Sequence, residues 1–272
     1  MYAIMAVGLS LIFGVMNVLN LSHGPLIILG GYVAFWLFAL FNIDPLISLP
    51  LVSLIMFALG IVMNRLYIWP LITDERYQLE ASATGTFGLA LFITNLIMVM
   101  WGPTYRVLMT SYQFQSVPGL PVPLTWVAVM AILCISITVL HIILIKTRLG
   151  KAIRATSQDR KAAMLMGVNI PSVTAIAFGT STLLAGVAGV LWVVTKGLEP
   201  YQGLSLLFKV FIVITLGGLG SVTGALVGGL ALGVIESLAT LFLGAYLKDV
   251  ASFILFIILL LVRPYGIMGR PR

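Results

Sequence analysis

The residues with chemistry to offer are few, and they stand inside apolar sequence. Residues 17–32 read NVLNLSHGPLIILGGY and set Asn20, Ser22 and His23 directly before Gly24-Pro25, between two membrane-length runs. Amide, hydroxyl and imidazole groups beside a Gly-Pro step can pair the backbone groups that a break in a helix sets free. In hydrocarbon such a break survives only against protein or a water-filled cavity. Two readings stand side by side. One is an ordinary turn at the membrane interface with Ser22 as helix N-cap. The other is a span broken within the membrane, whose exposed backbone borders a translocation path formed in part by Asn20, Ser22, His23 and Gly24.

A second set lies in residues 205–243, which read as a Gly-rich hairpin or re-entrant pair with its bend at LGGLGSVTG. Seven glycines fall between Gly217 and Gly233. Small residues three and four apart let helices approach closely, so Gly217, Gly218, Gly220 and Ser221 mark either tight packing or a re-entrant loop beside the path. Lys209 and Glu236 fall in the two arms, where a bare charge is costly. They are expected to face each other, a cavity or a neighbouring subunit, and Glu236 is a further path candidate. His141, near the end of its run, reads as an interfacial residue.

The third set is polar and continuous. Residues 146–161, KTRLGKAIRATSQDRK, hold six of the fifteen Lys and Arg and one acid. Within RATSQDRKAAMLMGVNIP the pattern predicts a short amphipathic helix over about 158–166, with Ser157 as cap, Asp159 in its first turn and Gly167 just past its end. Ala162, Leu165 and Met166 beside Arg160 and Lys161 suit either a position on lipid headgroups or docking into a groove on another protein.

The elements that must position these residues are membrane helices. The chain is 61% hydrophobic and 8% charged over 272 residues, with mean hydropathy +1.15, a composition foreign to soluble domains. Apolar runs are expected at about 1–21, 25–43, 45–63, 84–101, 124–145, 172–194, 205–217, 224–243 and 250–262. That leaves no room for a soluble catalytic domain, and the whole of 1–272 reads as one transmembrane domain. There is no P-loop, no zinc-ligand spacing and no nucleophile beside a base. The single Cys134 has no partner in this chain and reads as a buried small hydrophobe. The first run reads as a mature span, because no basic segment and cleavage site accompany it.

The net charge of +7 follows membrane topology and is no nucleic-acid footprint. The basic 146–161 stretch and Arg263, Arg270 and Arg272 place the 146–170 loop and the carboxyl end in the cytoplasm. Counting spans from that loop puts 102–123 outside, 64–83 inside, the Asp44-Pro45 turn outside, the Ser22-His23 turn inside and the N-terminus outside. The 64–83 placement rests on parity, since Arg65 and Arg76 stand against Asp74, Glu75 and Glu80. GLSLIFGVMNVLNL (8–21) also aligns with GLSLLFKVFIVITL (203–216), each followed by Gly-rich sequence, as in an internal repeat.

Three blocks, GLSLIFGVMNVLNLSHGPLIILGGYVAF, GKAIRATSQDRKAAMLMGVNIPSVTAIAFGTSTLLAGVAGVL, and VITLGGLGSVTGALVGGLALGVIESL with KDVASFILFIILLLVRPYGIMGRP, together resemble the LivH-type permeases of branched-chain amino-acid ABC importers. Members of that family carry a further stretch before the first span. The resemblance implies an all-α polytopic fold of about eight membrane elements with broken or re-entrant Gly-rich segments, type II-like, in the bacterial inner membrane. It also implies a second permease, LivM-like or a copy of this chain, two cytoplasmic ATPase subunits and an extracytoplasmic solute-binding protein. ATP and Mg would be held by those ATPase subunits, and this chain would hold no cofactor and catalyse nothing. Arg154, Asp159, Lys161, Ala162, Ala163 and Gly167 then stand where the family couples to its ATPases. Urea or short-amide importers look alike within the family. A gradient-driven carrier would need paired acids at midplane, and only Glu236 is available.

Overall fold

The computed structural model describes residues 1–72, 78–110, 122–244, 247–262 and 266–268. The helices are α1 (Tyr2–Met16), α2 (His23–Phe41) and α3 (Leu49–Met63), then a π-helical turn (Asn64–Ile68) leading into α4 (Trp69–Leu71). They continue as α5 (Gln78–Trp101), α6 (Leu124–Lys146), α7 (Arg148–Gln158), α8 (Arg160–Leu165) and α9 (Ile170–Lys196). Last come α10 (Gln202–Gly217), α11 (Val222–Leu243) and α12 (Lys248–Val262). No β-strand runs among the described residues; one isolated bridge joins Arg106 and Leu198. The expected runs match these helices with three differences. The first ends at Met16 rather than 21, the third continues to Leu71, and the fourth starts at Gln78. Asp74, Glu75, Arg76, Arg263, Arg270 and Arg272, used above for topology, lie outside the described residues.

Among the described residues, six helices are long and apolar enough to cross a membrane: α2, α3 with α4, α5, α6, α9 and α11; α1 and α10 are shorter apolar helices. The chain is thus a polytopic membrane protein. The 27-residue α9 is the central post, packed on α1, α2 and α3. Small residues make the approach possible. A methyl at Gly189 would overlap the Ile27 carbonyl, one at Gly30 would come within 2.7 Å of Gly186, and one at Gly60 within 2.8 Å of Gly179. Close backbone approach takes the place of a hydrophobic drive that lipid does not provide. By contrast α5, α6 and α11 turn large apolar residues outward, among them Phe92, Val99, Met130, Leu230 and Leu241. Cys134 belongs to that outer surface of α6 and is exposed, which corrects its reading as a buried hydrophobe. His141 is exposed near the end of the same helix.

The ends of the bundle are chemically distinct. At one end the last turns of α1, the π turn, α7 and the start of α9 share a cluster that includes Val15, Met16, Ile68, Ile153 and Phe178. Gly14 meets Gly220 there, and the Ile267 and Met268 amides donate to the carbonyls of Leu216 and Gly217, at 2.8 and 3.1 Å. This basic end therefore gathers the 146–170 segment, the Gly-rich bend and the last described residues. At the far end stand the 42–48 turn, residues 102–110 and residues 197–201, tied by the Arg106–Leu198 bridge.

Candidate functional site

The break between α1 and α2 is the point where the chain departs furthest from a plain span. Asn17 ends α1 in the left-handed region, φ 52°, which Asn tolerates better than most residues. Residues 17–22 lie outside any helix and run back along α1, since His23 Nε2 lies 2.9 Å from the Met5 carbonyl, more than two turns from the end of α1. A methyl on Gly8 would stand 3.1 Å from His23 Cε1 and 3.3 Å from Ser181 Oγ. Eleven residues of α9 separate Ser181 from Ile170 at the basic end, about 16 Å at 1.5 Å per residue. The amino end of α2 thus begins near mid-depth. Gly24 is required there, since a side chain would overlap the Gly203 carbonyl of α10.

Ser22 makes no N-cap bond; its hydroxyl donates to Asn20 Oδ1 at 2.6 Å, and its amide donates to the same oxygen at 3.1 Å. Asn20, Ser22 and His23 are fully buried. Ser22 therefore caps no helix, and the break is buried inside the bundle. What sequence reasoning missed is the source of its hydrogen bonds. Thr86 Oγ1 of α5 lies 2.8 Å from the Leu19 carbonyl and accepts the Leu21 amide at 3.0 Å, while Gln78 Nε2 donates to the Met16 carbonyl. A buried Thr and Gln on an apolar helix were the available signal, because polar groups there need partners.

Not every polar atom at this junction is paired. Ser10 Oγ, Asn20 Nδ2, His23 Nδ1 and Ser181 Oγ are buried without a hydrogen-bond partner among the described residues. Facing a carbonyl, Nε2 must carry the ring proton of a neutral imidazole, which leaves Nδ1 as an acceptor. An unused acceptor and an unused hydroxyl donor therefore flank Gly8.

The Gly-rich hairpin is packed. Ser221 caps α11 by accepting the Gly224 amide at 3.0 Å. Methyls at Gly217 or Gly224 would overlap each other's backbone, one at Gly228 would come within 2.5 Å of the Val213 carbonyl, and Gly229 lies on Ala3 of α1. Gly218 and Gly220 turn the bend at φ 102° and 81°. Lys209 and Glu236 do face each other, at 2.9 Å. Lys209 also pairs with Asp249 at 2.8 Å, and Glu236 accepts from Tyr2 OH at 2.7 Å and from Ser252 Oγ at 3.3 Å. Each charge is compensated, as burial demands.

The polar loop folds as two helices. Thr147 caps α7 through the Gly150 amide, and Ile153 and Thr156 are buried along it. Asp159, not Ser157, caps the next helix. Its carboxylate accepts the amides of Lys161 and Ala162 at 2.8 and 2.9 Å, whereas Ser157 sits inside α7 and donates to the Arg154 carbonyl. The helix expected over 158–166 is therefore α8, six residues long, preceded by a helix the sequence reading left out. Its end follows the expected pattern: Gly167 has φ 83°, with Gly167 N–H on Met164 O and Val168 N–H on Ala163 O, the Schellman arrangement. Ala163 is buried. Arg154, Asp159, Lys161, Ala162 and Gly167 are exposed. Met164, Leu165 and Met166 are 60%, 85% and 85% exposed, so α8 presents an apolar knob beside Arg160 and Lys161.

Residues 1–262 match the family model described as a branched-chain amino acid transport system permease component. The chain is 32% identical over 285 aligned residues to the high-affinity branched-chain amino acid transport permease LivH of Escherichia coli K12, covering 99% of this chain and 92% of that protein. The corresponding permease BraD of Pseudomonas aeruginosa shows the same identity and coverage. A probable LivH of Methanocaldococcus jannaschii is 29% identical, over 98% of this chain and 88% of its own length. No solved structure matches the chain.

Proposed function

The chain belongs to the family of branched-chain amino acid transport permease components, and on that premise we propose that it is the permease subunit of an ABC importer for branched-chain or other small amino acids. Full-length similarity to LivH and BraD carries the reading. The span broken near mid-depth supports it, because unwound backbone deep in a membrane protein suits a solute path. In this reading about eight membrane elements form a type II-like pore subunit, α1 and α10 counting as the two short ones. The basic end faces the cytoplasm, following the positive-inside rule. The path borders Asn20, Ser22, His23 and Gly24, with the bend 217–221 and Glu236 nearby. A second permease, LivM-like or a copy of this chain, completes the pore. An extracytoplasmic binding protein delivers the solute, and two ATPase subunits hold ATP and Mg.

The knob of Met164, Leu165 and Met166 is the docking element for one ATPase. Asp159 and Gly167 fix its two ends, and Arg154 and Lys161 stand beside it. Closure of the ATPase dimer acts on the pore only through contacts that differ between its two states, and a rigid capped helix transmits such a displacement. Gly167→Val forces a branched residue to a left-handed φ, at a cost of about 1–2 kcal/mol. The expected outcome is loss of solute-stimulated ATP hydrolysis with membrane insertion intact. Full stimulation in that variant would remove α8 from the coupling path.

The test of the whole reading is ATP hydrolysis by the assembled transporter in nanodiscs. Its binding protein is loaded in turn with leucine, urea, acetamide or nothing. Leucine-specific stimulation is expected; stimulation by urea or acetamide would keep the machine and change its cargo. Uptake by this chain alone, without ATPases, would replace the importer with a gradient-driven carrier.

A further inference from the structure

At the far end, one cluster holds more hydrogen-bond donors than acceptors. Tyr32 and Trp36, four residues apart, lie on one face of α2. Tyr32 stacks on Trp101 at the end of α5, centroids 5.0 Å apart, and Trp36 lies 6.3 Å from the same ring. The Arg106 guanidinium sits 5.3 Å from the Trp36 ring centre and 5.4 Å from that of Phe35, and its Nη2 donates to the Trp101 carbonyl at 2.6 Å. Its backbone is pinned by the two bonds exchanged with Leu198, at 2.9 and 2.8 Å.

A latch holding residues 102–110 accounts for the bridge, the stacking and Nη2, which satisfies a carbonyl left over at a helix end. It does not account for the rest. Among the described residues, Arg106 Nε, Trp36 Nε1 and Tyr32 OH are all buried without a hydrogen-bond partner, and Tyr32 is fully buried. The ion pairs among the described residues involve Lys209, and none brings a carboxylate to Arg106. Native proteins rarely leave one such donor buried and unused; here three side chains do so around a single Trp101, one of them cationic. Two of the three atoms can only donate. The group that completes this set is an acceptor with negative charge and more than one oxygen.

We propose that Arg106, Trp36 and Tyr32 form a receptor for a carboxylate, and that its ligand is the α-carboxylate of the transported amino acid as it enters from the far, outer side. The donor set stands on its own geometry; the owner of the carboxylate rests on the importer reading above. A guanidinium fork suits a carboxylate better than an ammonium does, because it places two N–H groups in one plane. Glu199 follows the bridge residue Leu198 and is exposed, which sets an acid on the same loop for the solute's ammonium group.

The test uses the complete transporter in nanodiscs, permeases with ATPases, held in the outward state by vanadate and without the binding protein. Radiolabelled leucine is bound and then competed. Isovalerate, which keeps the carboxylate, is expected to compete; leucinamide, which lacks it, is not. Arg106→Lys is expected to weaken leucine binding about tenfold or more, and Trp36→Phe and Tyr32→Phe, which keep the rings, about three- to tenfold each. Thermal unfolding of the same nanodiscs separates loss of binding from loss of fold. Competition by leucinamide equal to that by leucine, or wild-type affinity in both ring-preserving variants, overturns the proposal. So does a tenfold loss of binding-protein docking in Arg106→Lys with leucine binding unchanged, since the carboxylate would then belong to that protein. ATP-driven leucine import with none of these effects sinks the carboxylate receptor alone. Import of urea in place of leucine sinks the amino-acid reading and the receptor together.

Discussion

The two breaks in the bundle begin from nearly the same words and are resolved in opposite ways. GLSLIFGVM leads into the break at 17–22, and GLSLLFKVF leads, through the rest of α10, into the bend at 218–221. The bend at 218–221 is turned and capped by its own residues, the glycines and Ser221, and only the Leu216 and Gly217 carbonyls before it take amides from afar, those of Ile267 and Met268. The break at 17–22 runs back to mid-depth and cannot satisfy itself. It borrows Thr86 and Gln78 from a helix more than sixty residues away, and it leaves the hydroxyls of Ser10 and Ser181 and Nδ1 of His23 unused. A break at the end of a bundle can be built largely from local sequence. A break inside it has to be built by the fold, and this one leaves polar atoms over.

The sharpest way to break this comparison is by volume. A methyl at Gly24 overlaps the Gly203 carbonyl, whereas one at Gly233 meets nothing within 4 Å. Gly24→Ala is expected to cost about 3 kcal/mol by overpacking two backbones, and Gly233→Ala nothing or a slight gain. Thermal unfolding followed by size-exclusion of the detergent-solubilised protein checks both. Equal melting temperatures for the two variants would mean that the junction of α2 and α10 is looser than described and can yield.

A smaller effect separates borrowed bonds from local ones. Thr86→Val keeps the shape of the side chain and removes the hydroxyl from both the Leu19 carbonyl and the Leu21 amide. Leaving those groups buried and unpaired is expected to cost about 2 kcal/mol. Ser221→Ala removes one N-cap at a half-exposed bend and is expected to cost about 1 kcal/mol. The same unfolding measurement ranks them, and the reverse order would show that the break at 17–22 finds other partners.

That contrast also marks what the sequence could tell. The spans, the presence of a break before Gly24-Pro25, the Lys209–Glu236 pair and the Gly167 stop were legible, because each is written in residues close to where it acts or in a charge that must be neutralised. The cap of α8 was misplaced by two residues, since Ser157 and Asp159 both accept amides well and only the end of α7 decides between them. Ile153 and Thr156 mark the buried side of α7, yet the basic residues around them read as a solvated loop. Thr86 and Gln78 carry no local sign of their partners. Neither does Arg106, whose surroundings come from α2, α5 and the segment after α9.

The smallest expected change in stability carries the most about function. Ser181 Oγ is buried, has no hydrogen-bond partner among the described residues, and faces Gly8 as the His23 ring does. Removing an unsatisfied hydroxyl relieves a desolvated dipole, so Ser181→Ala is expected to leave stability unchanged or raise it by up to about 1 kcal/mol. If the hydroxyl and His23 Nδ1 meet water or solute when the pore changes state, the same variant loses transport while gaining stability. Leucine uptake and unfolding temperature, measured on one preparation, then move in opposite directions, the pattern of a group kept for function at the expense of the fold. Uptake unchanged beside unchanged stability would instead make Ser181 a packing residue. The mid-depth junction would then be a joint, and the path would have to be sought along another face of α9.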